Sequence, residues 1–153
     1  MDIIDKKIIE LLSENANATA TEIGNAVNLS IPAVNKRIQK LRSDGVVRSF
    51  TVLTDPKKVN KPVVAFIFVV MQYGRGVDTL IRGIENDNDI LECYAITGEY
   101  DYLIKICAES VEKLEDKLLL IKKCEGVMKS HTMLSLMEHK YQATVLPDIE
   151  DTE

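Results

Sequence analysis

Apolar residues recur over the first 45 positions with a helical period. Ile4, Ile8, Leu11 and Leu12 stand at i, i+4, i+7 and i+8, which predicts a helix over 2–13 with Asp2 and Asp5 near its positive end. Asn15-Ala16-Asn17-Ala18 interrupts the stripe as a polar turn. Thr19-Ala20-Thr21-Glu22 has the spacing of a capping box, where the threonine and glutamate side chains each bond the other's backbone N–H. With Ile23 and Val27 as its apolar face, that box predicts a helix over 20–27, closed by Asn28 in a left-handed conformation. Ser30 as a cap, Pro32 in the first turn and Gly45 past the end then predict a third helix. At about 100° per residue, its Val34, Ile38 and Leu41 fall on one side and Ala33, Lys36, Arg37 and Lys40 on another.

After Gly45 the period changes to two. Val46 to Leu53 is rich in β-branched residues and predicts a wing or linker strand, while Thr54 to Pro62, with two prolines and no apolar pattern, predicts a hinge. Beyond it, Val63–Met71 reads as a strand apolar on both faces, 76–86 as a helix, and 90–97 and 102–108 as strands joined by a tight Gly98-Glu99-Tyr100-Asp101 connection. Ser110 caps a helix bearing Val111, Leu114, Leu118 and Ile121, and Val127 to His139 forms a last strand. The order βαββαβ is that of a ferredoxin-like split unit, with helices on one face of a four-stranded antiparallel sheet. The first strand has no polar side, so the second face of this sheet needs a cover. A second copy of the chain supplies one most simply, which predicts a homodimer.

The expected architecture is therefore α+β, with a helix-turn-helix domain over 1–53, a hinge over 54–62, a ferredoxin-like domain over 63–140 and an acidic tail over 141–153. Composition sharpens this picture. The chain has 153 residues, 46% of them hydrophobic, enough for packed cores, and its longest apolar run of nine residues is far below the roughly 20 of a membrane span. The acids within Met1-Asp2-Ile3-Ile4-Asp5 do not suit a signal peptide, so a cytoplasmic protein without membrane partners is expected. Cys93, Cys107 and Cys124, odd in number and widely spaced, fit buried free thiols better than disulfides or a zinc site. The net charge of −5 is unevenly spread: residues 1–50 carry seven basic and six acidic side chains, and Lys36 to Arg48 holds five basic residues against one acid. A basic patch on an acidic body can engage phosphate while the body orients the approach.

Two short helices joined by about three residues, the second with a basic face, form a helix-turn-helix, whose second helix lies in the major groove of DNA. Three segments carry a family resemblance: Asp5 with Ile8, Leu11 and Leu12; Leu29-Ser30-x-Pro32 followed by Val34, Arg37-Ile38, Leu41 and Gly45-Val46-Val47; and Glu92-Cys93 with Thr97-Gly98-Glu99-Tyr100-Asp101-Tyr102-Leu103. In order and spacing they resemble the Lrp/AsnC, or feast/famine, regulators over about residues 2–140. The resemblance implies a DNA-binding transcription regulator whose C-terminal domain assembles dimers into an octamer or another ring, and which binds an effector, usually an amino acid, between dimers.

By position, Ser30, Ala33, Lys36, Arg37 and Lys40 would meet DNA, with Arg48 as a flanking phosphate contact. Arg42 stands where the family often has an acid and lies near the back of the helix. An amino-acid effector needs N–H groups for its carboxylate and an acid for its ammonium, which Thr97, Gly98, Glu99, Tyr100 and Asp101 offer, with Thr132 and Leu134 as possible walls. Met128, Met133 and Met137 suit an irregular core better than a pocket. No cofactor, metal or catalytic residue is expected. The competing reading is an enzyme resembling the sirohaem decarboxylases of the same architecture, but nothing in the chain has nucleophile, phosphate-loop or metal-ligand spacing. His131 and His139, eight apart on one expected strand, would lie ~26 Å apart, too far to share a metal.

Overall fold

A computed structural model describes residues 1–148; the end of the acidic tail lies outside the described residues. The chain forms two compact units, one of Met1–Val52 with the described residues from Lys140 on, the other of Leu53–His139. Among the described residues no helix is long and apolar enough to cross a membrane.

The first unit contains α1 (Ile3–Glu14), α2 (Ala20–Val27) and α3 (Ile31–Ser43). Their apolar stripes meet in a core of Ile8, Ile9, Ile23, Val34 and Leu41. Each helix is delimited by local chemistry. Asp2 accepts from the Asp5 N–H and Asp5 from the Asp2 N–H, so α1 also begins with a capping box. Thr19 and Glu22 form the expected box at α2, and Asn28 closes that helix in the left-handed region at φ 55°. At α3 one expectation fails, because the Ser30 side chain makes no cap hydrogen bond; Pro32 in the first turn is the start signal that remains. Gly45, at φ 73°, follows the end of α3 as expected.

Residues 46–53 are not a strand. A strand exists through pairing, and among the described residues no segment pairs with this one. Instead the Val47 N–H donates to the Leu41 carbonyl at 3.0 Å, and the Arg42 guanidinium lies 5.9 Å from the centre of the Phe50 ring.

The Thr19–Glu22 box carries a pH signature. Bonds from the Thr19 backbone and then from its hydroxyl hold the Glu22 carboxyl below its ordinary value of 4.5. A depressed carboxylate stabilises the fold above its unfolded value, and that stabilisation is lost as pH falls through the folded value. Glu22→Gln is therefore expected to lower stability at neutral pH and to flatten its decline below about pH 4.5. Chemical denaturation at a series of pH values checks this, and parallel pH profiles for the two proteins would count against it.

The second unit contains β1 (Val63–Met71), α4 (Val77–Ile84), β2 (Ile90–Ala95), β3 (Tyr102–Ala108), α5 (Val111–Lys123) and β4 (Val127–Leu134). The strands pair antiparallel in the order β2-β3-β1-β4, the ferredoxin-like arrangement. Ala65, Ile67, Val69 and Met71 of β1 and Ile104, Ile106 and Ala108 of β3 point to one face, where Leu80, Ile84, Leu114 and Ile121 of the helices bury them. Cys107 is buried and Cys93 and Cys124 half-buried, and burial pushes all three thiols above their ordinary value. Lys117 bonds Asp87 at 2.5 Å and Asp89 at 3.3 Å, and Lys61 pairs with Asp89, fixing the end of the 54–62 segment to this unit.

Strand ends differ from the pattern-based expectation. β2 stops at Ala95 because residues 96–101 form the turn, and β4 stops at Leu134 because Ser135 makes the last rung, to Val64, where β1 begins. His139 thus lies outside the sheet. Met128, Met133 and Met137, expected to fill core, are all exposed, the first two on the edge strand β4 and the third beyond it.

Candidate nucleic-acid interface

α3 owes its orientation to Val34 and Leu41, buried in the core of the first unit. Opposite them, at about 100° per residue, the outermost strip is Pro32, Lys36, Gln39 and Ser43, flanked by Asn35 on one side and by Ala33 and Lys40 on the other. Lys36 and Lys40 are exposed and Ala33 half-buried, so these three expected contacts sit on or beside the outer strip. Ser30 is exposed just before the first turn of α3, and Arg48 is exposed on the irregular segment after it rather than on a strand. Asn35 and Gln39 carry no charge, so a reading led by cations misses them. Their position on the wheel is the available signal, and their amides suit the donor and acceptor pair that adenine presents in the major groove.

Arg37 behaves differently. Its Nη1 donates to Asp2 Oδ2 at 2.7 Å and to Asp5 Oδ1 at 2.6 Å, turning the guanidinium back onto the start of α1. The Asp5 and Asp2 bonds raise the Arg37 pKa. The Asp5 backbone bond, followed by the Arg37 bond, holds the Asp2 carboxyl below its ordinary range. The cations on or beside the outer strip of α3 are thus the two lysines; Arg42, also exposed, lies nearer the buried side, with its guanidinium against Phe50.

In the second unit, residues 96–101 form a braced turn. The Ile96 N–H donates to the Asp101 carbonyl at 2.9 Å, the Asp101 N–H to the Val69 carbonyl at 2.9 Å, and the Met71 N–H to Asp101 Oδ2 at 2.7 Å. One oxygen of the Asp101 carboxylate is therefore committed to β1. Thr97, Gly98 and Glu99 are exposed, with Gly98 at φ 118°. Tyr100 lies against Phe68 and His131, with ring centroids 5.2 and 6.3 Å away, and the Lys129 ammonium is 5.9 Å from its ring centre.

Thr132 and Leu134 are not beside this turn. They oppose Ile67 and Ala65 in the register, on the helix side of the sheet, whereas Tyr100 packs on the other side with Phe68. The turn meets β4 through His131 and Lys129, on the face opposite to Thr132 and Leu134, so within one chain the turn and these two residues lie on different sides of the sheet.

The side of the sheet away from the helices carries Val64, Phe66, Phe68 and Val70 of β1, Leu103 of β3 and Met133 of β4. Its polar features include a Lys105–Glu92 ion pair at 3.2 Å, with the Tyr94 hydroxyl donating to Glu92 at 3.0 Å. This face is broad, apolar and uncovered by the chain's own helices.

Residues 1–48 match a winged helix-turn-helix DNA-binding model, and residues 64–145 match the Lrp/AsnC ligand-binding domain. The HTH-type transcriptional regulator FL11 of Pyrococcus horikoshii is 36% identical over 147 residues, 96% of each chain. The glutamate uptake regulatory protein of Zymomonas mobilis is 28% identical over 96% of this chain and 90% of its own. Among solved structures, a Neisseria meningitidis transcriptional regulator in complex with L-methionine superposes with a TM-score of 0.89 at 27% identity, covering 95% of this chain and 96% of that one. The chain belongs to the Lrp/AsnC family of DNA-binding transcription regulators.

Proposed function

We propose that this regulator reads specific operator sequences as a homodimer, that its dimers associate further into an octamer or a comparable ring, and that an amino acid bound between dimers sets its affinity for DNA. The observation that carries this reading is the uncovered apolar face around Phe66, Phe68 and Leu103. Pairing two such faces about a two-fold axis buries them and gives one particle two α3 helices. One α3 offers few cations on an acidic body, so useful affinity needs the second.

The effector part rests on the braced turn and on the methionine complex of the Neisseria relative. Gly98 leaves its backbone accessible to a carboxylate, and Glu99 is the exposed acid for an ammonium. Thr132 and Leu134 join them as walls only if they come from another copy. Calorimetric titration with each of the twenty amino acids tests this directly: saturable heat from one or a few supports it, and no heat from any overturns the amino-acid assignment. The protein acts in the cytoplasm, with double-stranded DNA and further copies of itself as partners.

Lys36→Ala and Lys40→Ala are each expected to weaken DNA binding and to reduce the slope of log affinity against log salt by about 0.9, the change for one phosphate no longer neutralised. Fluorescence anisotropy from low to high salt measures both. An unchanged slope in both variants would remove the lysines from the interface.

A further inference from the structure

Arg37 is 29% exposed and Asp5 14%, an interhelical pair that is largely shielded for a surface ion pair. The division of labour among the oxygens is complete. Asp2 uses Oδ1 for the Asp5 N–H and Oδ2 for Arg37, while Asp5 uses Oδ2 for the Asp2 N–H and Oδ1 for Arg37. The capping box of α1 and the side chain from α3 thus form one closed unit, and breaking any member leaves a carboxylate oxygen unmatched. The unit carries two negative charges and one positive, so phosphate gains little from approaching it.

Elsewhere the packing between α1 and α3 is apolar and non-directional, made by residues such as Ile4, Ile8 and Ile38. Burial of Val34 and Leu41 decides which side of α3 faces the core, but apolar contacts alone leave room for a small rotation about its axis. The two bonds from Arg37 Nη1 oppose that rotation, which would swing Lys36 and Gln39 away from base edges.

We infer that Arg37 is a positioning residue for DNA reading and not a phosphate ligand, with Asp2 and Asp5 as the fixed acids that set the azimuth of α3. The two roles differ in what their removal does. Removing a phosphate ligand weakens binding to all sequences alike and lowers the salt slope, whereas removing a positioning residue weakens binding to the preferred sequence above all.

The test uses the full chain with two duplexes, one enriched from a randomised library by the wild-type protein and one scrambled from it. The inference rests on α3 reading sequence, and wild-type failure to enrich any duplex would remove that reading together with it. Arg37→Gln, Arg37→Lys and Asp5→Asn are each expected to lower the ratio of the two affinities roughly tenfold, comparable with one mismatched base pair, with the salt slope unchanged. Arg37→Lys is expected to fail because its ammonium, on a stem one bond shorter, does not reach the position from which Nη1 bonds both carboxylates. The double variant Asp5→Asn with Arg37→Gln is expected to be no worse than either single change, since both remove one interaction. Thermal unfolding identifies any variant that does not fold, and the remaining ones carry the comparison. The inference is overturned if Arg37→Gln lowers the slope by about 0.9 while Arg37→Lys matches the wild type. Tighter binding by Asp5→Asn, through release of the arginine to phosphate, would overturn it equally.

Discussion

Gly24→Ala is expected to destabilise the first unit by about 3 kcal/mol and to abolish sequence-selective DNA binding. Gly24 is buried in α2, and a Cβ there would stand 2.6 Å from the Leu29 carbonyl oxygen and 3.6 Å from a methyl of Val34. The nearest obstacle is backbone, which cannot rotate aside as a side chain can. The same region is tied by the Leu29 N–H donating to the Gly24 carbonyl at 2.9 Å, so α2 and the turn before α3 approach each other twice. Adding a methyl group pushes Leu29 outward, and Ser30 and the first turn of α3 follow. Denaturant unfolding and anisotropy with the selected and scrambled duplexes measure the two effects. Wild-type stability together with wild-type selectivity would show that this close approach does not set the start of α3.

Phe68→Asp is expected to convert the proposed homodimer to monomers at micromolar concentration and to lower DNA affinity by at least a hundredfold, the scale of a forfeited bivalent gain. Phe68 stands in the inner strand β1, between Leu103 on β3 and His131 on β4, and packs against Tyr100 with the rings tilted by 50°. A carboxylate at that position is tolerated when the face is wet. It is costly when two such faces close on each other, because the charge is then buried twice about the symmetry axis. Sedimentation equilibrium reads the mass and circular dichroism confirms the fold. An unchanged mass would place the interface elsewhere on the chain.

Legibility in the sequence followed the range of the interactions involved. The capping box at Thr19, the left-handed Asn28 and the helical stripes were readable because each depends on residues within one or two turns of the others. β1 was readable from its continuous run, since Val63–Met71 is apolar on both faces. The extent of β4 was not, because a strand ends where its neighbour ends, and β1 begins at Val63. Residues 46–53 show the same dependence, with β-branched composition but no strand partner among the described residues.

On α3, the periodicity places Lys36 and Lys40 outside the buried stripe, where both are exposed. The role of Arg37 depends on where α1 crosses α3, which no local pattern encodes; acids at Asp2 and Asp5 looked like dipole partners and are also its ligands. Asp101 stands out in the sequence for its charge, yet its bond from the Met71 N–H commits one of its oxygens to bracing the turn. The Lrp/AsnC resemblance, read from order and spacing, carried the family assignment further than any single residue did.

Coupling between amino-acid binding and DNA binding is the claim on which the proposed function of this chain turns. Anisotropy of the library-selected duplex, titrated with protein in the absence and presence of millimolar amino acids, measures that coupling directly. Differential affinity for two assembly states gives couplings of about 1–3 kcal/mol, so the Kd is predicted to shift by roughly 5- to 150-fold with at least one amino acid. Isotherms that superimpose for all twenty would contradict the claim.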